Sequence, residues 1–532
     1  FSLARARTSV FSFAAGEYEL VGTVEEIGLN SVTLTGVTLN GERADSDVIA
    51  YFEGDVRIGD EIRGNAYLSL VAAEEASDVA GHIKYRASLE DCLVSDGSFS
   101  PFRFVRREIY EALFAHLEGE SAAVAYALMT GSTDFVPENV LDQVRYGGVA
   151  HIFAVSGLHI GIVYAGLTGL LRLLKCNGAP ALVLSICGIV LYAGVCDFTA
   201  SSMRAVAMCS VLGWNKLLGR KYDGLNALGY AVIFVLLFSP GAYYTVGFRL
   251  SVLACLGIIL FADRFAALRS PVASAFGVTA SAQVFTFPVL IDVFGYCSAP
   301  SLLLNLILVP LVAPLMSALF VGVIGCMAGA SFCMLPAAGI LKIFLWFVSL
   351  ADFSKLLFCG FAFGLAALPY YASLLVASGL FRLSARMRAR LSLCLAGACV
   401  AALTLSHPPF YEVRLASNRS GVAVRTESAS LLVVTRPYSA QKLLFSVGLT
   451  EADAVLFLCE EEELTFAAER VYVREDVEGE VSVRYLGGNS CLVSCGGYLF
   501  SVNAPAAGAD AALSLGGEQI WYVIGGRLWQ KE

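Results

Sequence analysis

Residues 151–163, HIFAVSGLHIGIV, decide how this chain is read. They open an apolar run that reads as a membrane span, yet the run carries His151, Ser156 and His159 as well as Gly157 and Gly161. A segment that only anchors a chain in lipid has no use for such groups. An ionisable side chain at membrane depth is costly unless it faces a polar cavity. In one continuous helix, His151 and His159 would be a little over two turns apart and share a face, with Ser156 about 60° away. Two readings stand at this level. The histidines line or gate a polar path, or they sit near a span end bonded to backbone carbonyls. Gly157 and Gly161, at i and i+4, predict close packing against a neighbouring helix.

The composition around this stretch fits a membrane protein. Of 532 residues, 57% are hydrophobic and 15% charged, against roughly 25% charged in a soluble domain. The net charge of −9 is divided unevenly. Residues 1–100 hold 7 Lys/Arg against 17 Asp/Glu, residues 408–532 hold 10 against 16, and residues 101–407 hold 19 against 12. The membrane part is basic and both soluble ends are acidic. An acidic module is a poor general trap for polyanions. The chain opens on Phe1 and not on methionine, so a portion upstream is expected.

Residues 17–90 alternate apolar and polar, with strands expected near 18–28, 31–39, 47–53, 61–70 and 80–87. Five short strands suit a small OB-fold-like barrel over residues 1–100. Tyr51, Phe52, Tyr67 and Tyr85, with Arg43, Arg57, Arg63, Lys84 and Arg86, are what it could offer a single strand of nucleic acid. A purely structural barrel fits the same residues. Residues 101–150 are read as amphipathic helix leading to the membrane, with Arg103, Arg106 and Arg107 at the head of one charged run over 102–129. About ten hydrophobic segments follow within 151–407. Lys and Arg cluster after the odd-numbered segments, which places those exits in the cytoplasm and both soluble modules outside it. Residues 408–532 form a short β-rich module without histidine.

Charges inside the apolar segments are the remaining clues. Asp197 and Arg204 are seven residues apart and would neutralise each other on one helical face. Arg249 sits among apolar residues, as do Asp292 and Lys342 nearer to segment ends. Arg204 and Arg249 favour a polar pathway, and Asp292 and Lys342 favour snorkelling or a structural pair. Asp134 or Thr133 is expected to cap a helix begun near Pro137. No nucleotide-binding, nucleophile-elbow or metalloprotease motif occurs in a plausible context. No catalytic residue, metal or cofactor is therefore expected.

Five ordered motifs carry a resemblance: ALMTGSTDFVPENV (127–140), HIFAVSGLHIGIV (151–163), YAGVCDFTASSMRAVAM (192–208), SPGAYYTVGFRLSVLACLG (239–257) and FTFPVLIDVFGYCSAPSLLLNLILVPL (285–311). They resemble the ComEC family, inner-membrane channels for DNA uptake in naturally competent bacteria. The resemblance implies a polytopic α-helical membrane protein with an N-terminal OB-like β-barrel and a C-terminal metallo-β-lactamase-like module. The missing histidines mark that last module as degenerate. The implied function is a channel or translocase carrying single-stranded DNA across the cytoplasmic membrane. Implied partners are the strand itself, the lipid membrane, a DNA receptor and cytoplasmic DNA-handling or motor proteins. His151, Ser156, His159, Asp197, Arg204 and Arg249 would line its path. A membrane-bound nuclease or other hydrolase, and a transporter of another polyanion, are the alternatives. Members of the family also carry hydrophobic segments before the barrel, which this chain does not include.

Overall fold

The computed structural model describes residues 13–27, 32–44, 46–51, 56–70, 85–95, 100–266, 270–294, 296–298, 300–349, 357–359, 363, 366–381, 383–406, 411–415, 421–426, 429–435, 440, 443–444, 451–458, 468–477, 481–487, 490–495, 498–502, 511–513, 519–524 and 527–531. By its contacts the chain divides into two units, Phe1–Gln283 with Pro300–Asp352, and Val284–Ala299 with Phe353–Glu532.

In the first unit, alternating residues build β1 (Gly16–Ile27), β2 (Val32–Leu39), β3 (Glu42–Arg43), β4 (Val48–Tyr51), β5 (Glu61–Leu70) and β6 (Tyr85–Ser95). The order β1-β5-β6-β4-β2 closes through a β1–β2 pairing into a five-stranded barrel. β3 only extends β2 as a hairpin. Its turn, Asn40-Gly41, has positive φ at both residues, the conformation that favours this dipeptide in a two-residue hairpin. Leu20, Val24, Leu34, Leu39, Ile62 and Leu68 fill the interior. The expected closed barrel is present; of the strand expected at 80–87, residues 80–84 lie outside the described residues, and β6 runs on to Ser95. Tyr85, offered from the sequence as a surface aromatic, is fully buried because it shares the inward phase of Ala87 and Leu89. Tyr51 and Tyr67 are exposed, and Phe52 and Lys84 lie outside the described residues.

The amphipathic run expected over 102–129 is two helices, α1 (Pro101–His116) and α2 (Gly119–Thr130). Leu117 and Glu118 are extended, and Gly119 takes a positive φ. α2 is buried from Ala122 to Thr130. Its alanine-rich sequence has no bulky face, so other helices surround it. α3 (Glu138–Tyr146) starts after Pro137 without a side-chain cap. Asp134 accepts a hydrogen bond from Ser132 at 3.3 Å and does not cap a helix.

Among the described residues, α4 (Gly157–Leu173), α5 (Ala179–Val195), α6 (Ala200–Leu217), α7 (Gly224–Phe238), α8 (Val246–Ala266), α9 (Pro271–Phe294), α10 (Ser301–Met327), α11 (Leu335–Ser349), α12 (Ala367–Ala377) and α13 (Ala385–Ser406) fall on the hydrophobic segments. Four stretches among the described residues are long and apolar enough to cross a membrane: Ala150–Leu173, Val272–Phe294, Ser301–Met327 and Ser331–Ser349. α5, α7, most of α8 and α12 are shorter apolar helices. Leu173, Leu237 and Leu303 are among the large apolar side chains left exposed, as expected of faces covered by lipid.

The second unit begins with the end of α9, which contains Pro288. A proline has no N–H to offer the carbonyl four residues back. That carbonyl belongs to Val284, and the Tyr370 hydroxyl donates to it at 2.7 Å. Tyr371 does the same for Phe285 at 2.9 Å. Asp292 accepts from the backbone N–H of Phe363 at 2.5 Å, a structural bond. β7 (Tyr296–Ser298) and β8 (Leu357–Cys359) pair antiparallel in the same unit.

The C-terminal part has β9 (Tyr411–Leu415), β10 (Gly421–Arg425), β11 (Ser430–Val434), β12 (Ala452–Phe457), β13 (Ala468–Val473), β14 (Ser482–Gly487), β15 (Ser490–Cys495), β16 (Tyr498–Val502), β17 (Ala511–Leu513), β18 (Gln519–Ile524) and β19 (Arg527–Lys531). One sheet runs β13-β12-β11-β10-β9-β18-β19 and a second runs β14-β15-β16-β17. Val422, Val433 and Leu456 of the first share a core with Val483, Cys491 and Phe500 of the second. Burial there pushes the Cys491 thiol up to about 12.

Candidate functional site

The decisive stretch is not one helix. Ala150–Ile152 is a single 3₁₀ turn, the chain leaves helical geometry, and α4 begins only at Gly157. Ser156 causes the break. It is extended, with ψ 175°, and its Oγ accepts from the Leu158 N–H at 3.3 Å. Its own N–H donates to His159 Nδ1 at 3.2 Å. This is a capping box in which histidine holds the position usually given to Glu or Gln. The shared-face argument for His151 and His159 therefore fails, since it assumed unbroken helix.

The tertiary structure still brings the two together. His151, Ser156, Leu158 and His159 line one cavity of about 120 Å³, with Val309 and Val312 of α10 opposite. His151 is exposed, while His159 is 1% exposed. With Nδ1 accepting a backbone N–H, a neutral imidazole carries its proton on Nε2. His159 Nε2 is buried without a hydrogen-bond partner among the described residues.

Arg204 approaches the start of α4 from α6. An added Cβ at Gly157 would stand 3.2 Å from Arg204 Nη2 and 3.8 Å from the Ala205 methyl. At Gly157, α6 thus comes close to α4, whereas at Gly161 an added Cβ would meet nothing within 4 Å. Arg204 is 4% exposed. Its Nε donates to Ser251 Oγ at 2.9 Å, and its Nη1 lies 2.8 Å from Cys255 Sγ and 3.3 Å from Met208 Sδ. These partners are neutral, and among the described residues no carboxylate pairs with it. Arg249 sits on α8, the helix that supplies Ser251 and Cys255, and its buried Nε has no partner among the described residues.

Asp197 does not neutralise Arg204. It lies in the turn before α6, at φ 55° with Phe198 at 46°, so no helix relates the two residues. Its carboxylate pairs instead with Arg106 of α1 at 2.6 Å. Burial raises the Asp197 carboxyl above its ordinary value, and the Arg106 charge opposes that shift. Arg106 also donates to the Val195 carbonyl at 3.1 Å and to the Glu25 carbonyl of β1 at 3.2 Å. Arg103 pairs with the Glu25 carboxylate at 2.7 Å. Phe102 stacks edge-on against Phe198, with centroids 5.4 Å apart. One face of α1 thus fastens the barrel to the α5–α6 turn. Sequence reading missed this joint, although a signal was present. Arg106 is in phase with Ile109 and Leu113 on the buried face of α1, so its charge had to find partners inside.

Lys342 is exposed and lines an open groove of about 550 Å³ with Glu118, Glu120 and Trp346. No group of three or more His, Cys, Asp or Glu side chains among the described residues is placed to hold a metal ion.

This is a membrane protein with a small cavity walled in part by two histidines and a serine where a capped helix begins, beside a buried arginine. Residues 128–387 match the family described as Competence protein. Over 223 residues the chain is 27% identical to ComE operon protein 3 of Bacillus subtilis (strain 168), covering 42% of this chain and 29% of that protein. It is 28% identical over 205 residues to the uncharacterized protein YcaI of Escherichia coli (strain K12), covering 36% of this chain and 27% of the relative. It is 30% identical over 192 residues to an uncharacterized protein of Aquifex aeolicus (strain VF5), covering 36% and 45%. The chain thus spans less than half the length of each of these relatives. No solved structure matches it. Residues 128–387 thus form a Competence protein domain, similar to that of the ComEC family.

Proposed function

We propose that this protein carries single-stranded DNA across the cytoplasmic membrane during natural transformation. The observation that carries the reading is Arg204, a buried cation surrounded by neutral groups at the start of α4. A polyanion crossing about 30 Å of hydrocarbon needs such groups along a protein-lined path. They must hold phosphate weakly enough to release it. Arg204 and Arg249 meet phosphates, and His151, Ser156 and His159 line the way between α4 and α10. The name of the Bacillus relative and the family description support a role in competence.

Both soluble modules lie outside the cytoplasm in this reading, where the strand arrives. On the barrel, Tyr51 of β4 and Tyr67 of β5 both stand in register with Ser88 of β6. They are therefore about 10 Å apart, two strand spacings. Two exposed aromatics can serve as stacking platforms for bases. The C-terminal module acts as a degenerate metallo-β-lactamase relative without nuclease chemistry, a reading supported by the lack of histidine in 408–532. A DNA receptor outside and a DNA-handling motor inside complete the machinery.

The test is uptake of labelled DNA by competent cells carrying Arg204→Ala or Arg249→Ala. Import is expected to be lost while protein level, membrane insertion and surface DNA binding persist. Wild-type import in both variants would overturn the assignment of the path.

A further inference from the structure

We propose that the cavity between the start of α4 and α10 is a seat for one phosphate group, with His159 Nε2–H as its buried donor. This rests on the reading of the protein as a DNA carrier and names the contact that the strand makes there.

Three observations converge on the site. The Ser156 N–H donates to Nδ1 at 3.2 Å, and Ser156 Oγ lies 3.1 Å from the same nitrogen; with Nδ1 as the acceptor, the neutral ring carries its proton on Nε2 and donates from its free edge. That edge is buried and unpartnered among the described residues, in a side chain that forms part of the cavity wall. A buried donor left unmade is costly, and an acceptor entering the cavity removes that cost. The cavity also lies at the positive end of α4, where an anion is favoured. Arg204, against Gly157 on the same first turn, adds a full positive charge.

The same tautomer argues against the obvious use of two histidines. A metal ion binds a ring nitrogen through its lone pair. On His159 one lone pair is taken by the Ser156 N–H and the other nitrogen bears the proton. The pocket therefore suits an acceptor-rich anionic group. Its volume of about 120 Å³ leaves room for one phosphate group. Its other wall, Val309 and Val312, offers no polar grip. Such a seat would hold a phosphate from one side and let it leave.

The capping box supplies a variant that separates the two jobs of His159. Glutamine is a standard residue at this position of the box, so His159→Gln keeps the helix cap and removes the ring donor. His159→Ala removes both. The full chain in lipid nanodiscs would be titrated with a short oligothymidylate, its uncharged methylphosphonate counterpart, and inorganic phosphate as competitor. His159→Gln is expected to weaken phosphodiester binding about tenfold, the scale of one hydrogen bond to a charged group. Methylphosphonate binding and melting temperature should not change, whereas His159→Ala should also melt earlier. Competition by inorganic phosphate that His159→Gln abolishes shows that the seat takes phosphate from either source. Absence of competition, with the tenfold loss retained, assigns it to the strand alone. Unchanged phosphodiester binding in His159→Gln overturns the proposal and leaves His159 a helix cap. Failure of the carrier reading would appear separately, as intact DNA import in the Arg204 and Arg249 variants.

Discussion

Arg106 and Arg204 are almost equally buried, at 2% and 4% exposed, yet their surroundings differ. Arg106 meets the Asp197 carboxylate and the carbonyls of Val195 and Glu25, with the Glu25 carboxylate at 3.8 Å. Arg204 meets a hydroxyl and two sulfurs. The first charge is neutralised within a joint that holds barrel, α1 and the α5–α6 turn in place. The second keeps its positive potential. Burial alone therefore says little about the role of a charge in a membrane protein, and its partners say more. A neutralised arginine gives a rigid fastening, and one among neutral dipoles can still attract an anion.

The contrast can be broken most directly at Arg106. Arg106→Ala leaves Asp197 and two carbonyls without their donor, a loss expected to cost about 3–5 kcal/mol. Loss of folded protein and a large drop in melting temperature should be seen in nanodiscs. By contrast, Arg204→Ala should fold and lose function. Similar melting curves for the two variants would erase the distinction. Gly194→Ala comes next. A Cβ at Gly194 would run into the Phe102 ring, and overpacking of this kind costs about 1–3 kcal/mol. Combining it with Phe102→Leu should recover part of the loss, because the clash is with the ring and not with backbone.

The glycines of α4 sharpen the Arg204 side. Gly157→Ala presses on Arg204 Nη2 at 3.2 Å, whereas Gly161→Ala enters open space. DNA import is expected to fall several-fold in the first and to stay at wild type in the second, with equal protein levels. Equal import would show that Arg204's position does not matter. The smallest effect is expected from Asp197→Asn. The Asp197 side chain is half exposed, so solvent screens its pair with Arg106 and the change should stay within about 1 kcal/mol. A thermal shift as large as that of Arg106→Ala would mean that this ion pair, and not the carbonyl bonds, carries the joint.

Several features were legible before the fold. Period-two alternation placed four of the five barrel strands, because that pattern follows from one face packing inward. For the fifth, expected at 80–87, residues 80–84 lie outside the described residues, and β6 covers the rest and continues to Ser95. The β-rich C-terminal module expected from the sequence is present as β9 to β19. The apolar run at 151 was read as one span, whereas Ser156 restarts the helix. The S-x-x-H spacing carried that signal, hidden because histidine is not the usual partner in a capping box. The Asp197–Arg204 pairing failed for a related reason, since helical spacing holds only where the backbone is helical and Asp197 sits at positive φ.

The sequence by itself determined what is governed by local pattern: a membrane protein with a closed barrel before it and a β-rich module after it, and a polar group of residues at the head of one span. The physical reason is that hydrophobic periodicity and the cost of charge in lipid act within a few residues of one another. Only the tertiary structure decided which charges are neutralised. Arg106 reaches Asp197 across 91 positions of chain, Arg204 reaches Ser251 across 47, and Val309 closes a cavity begun by His151. Such contacts depend on how helices pack, and no local pattern records them.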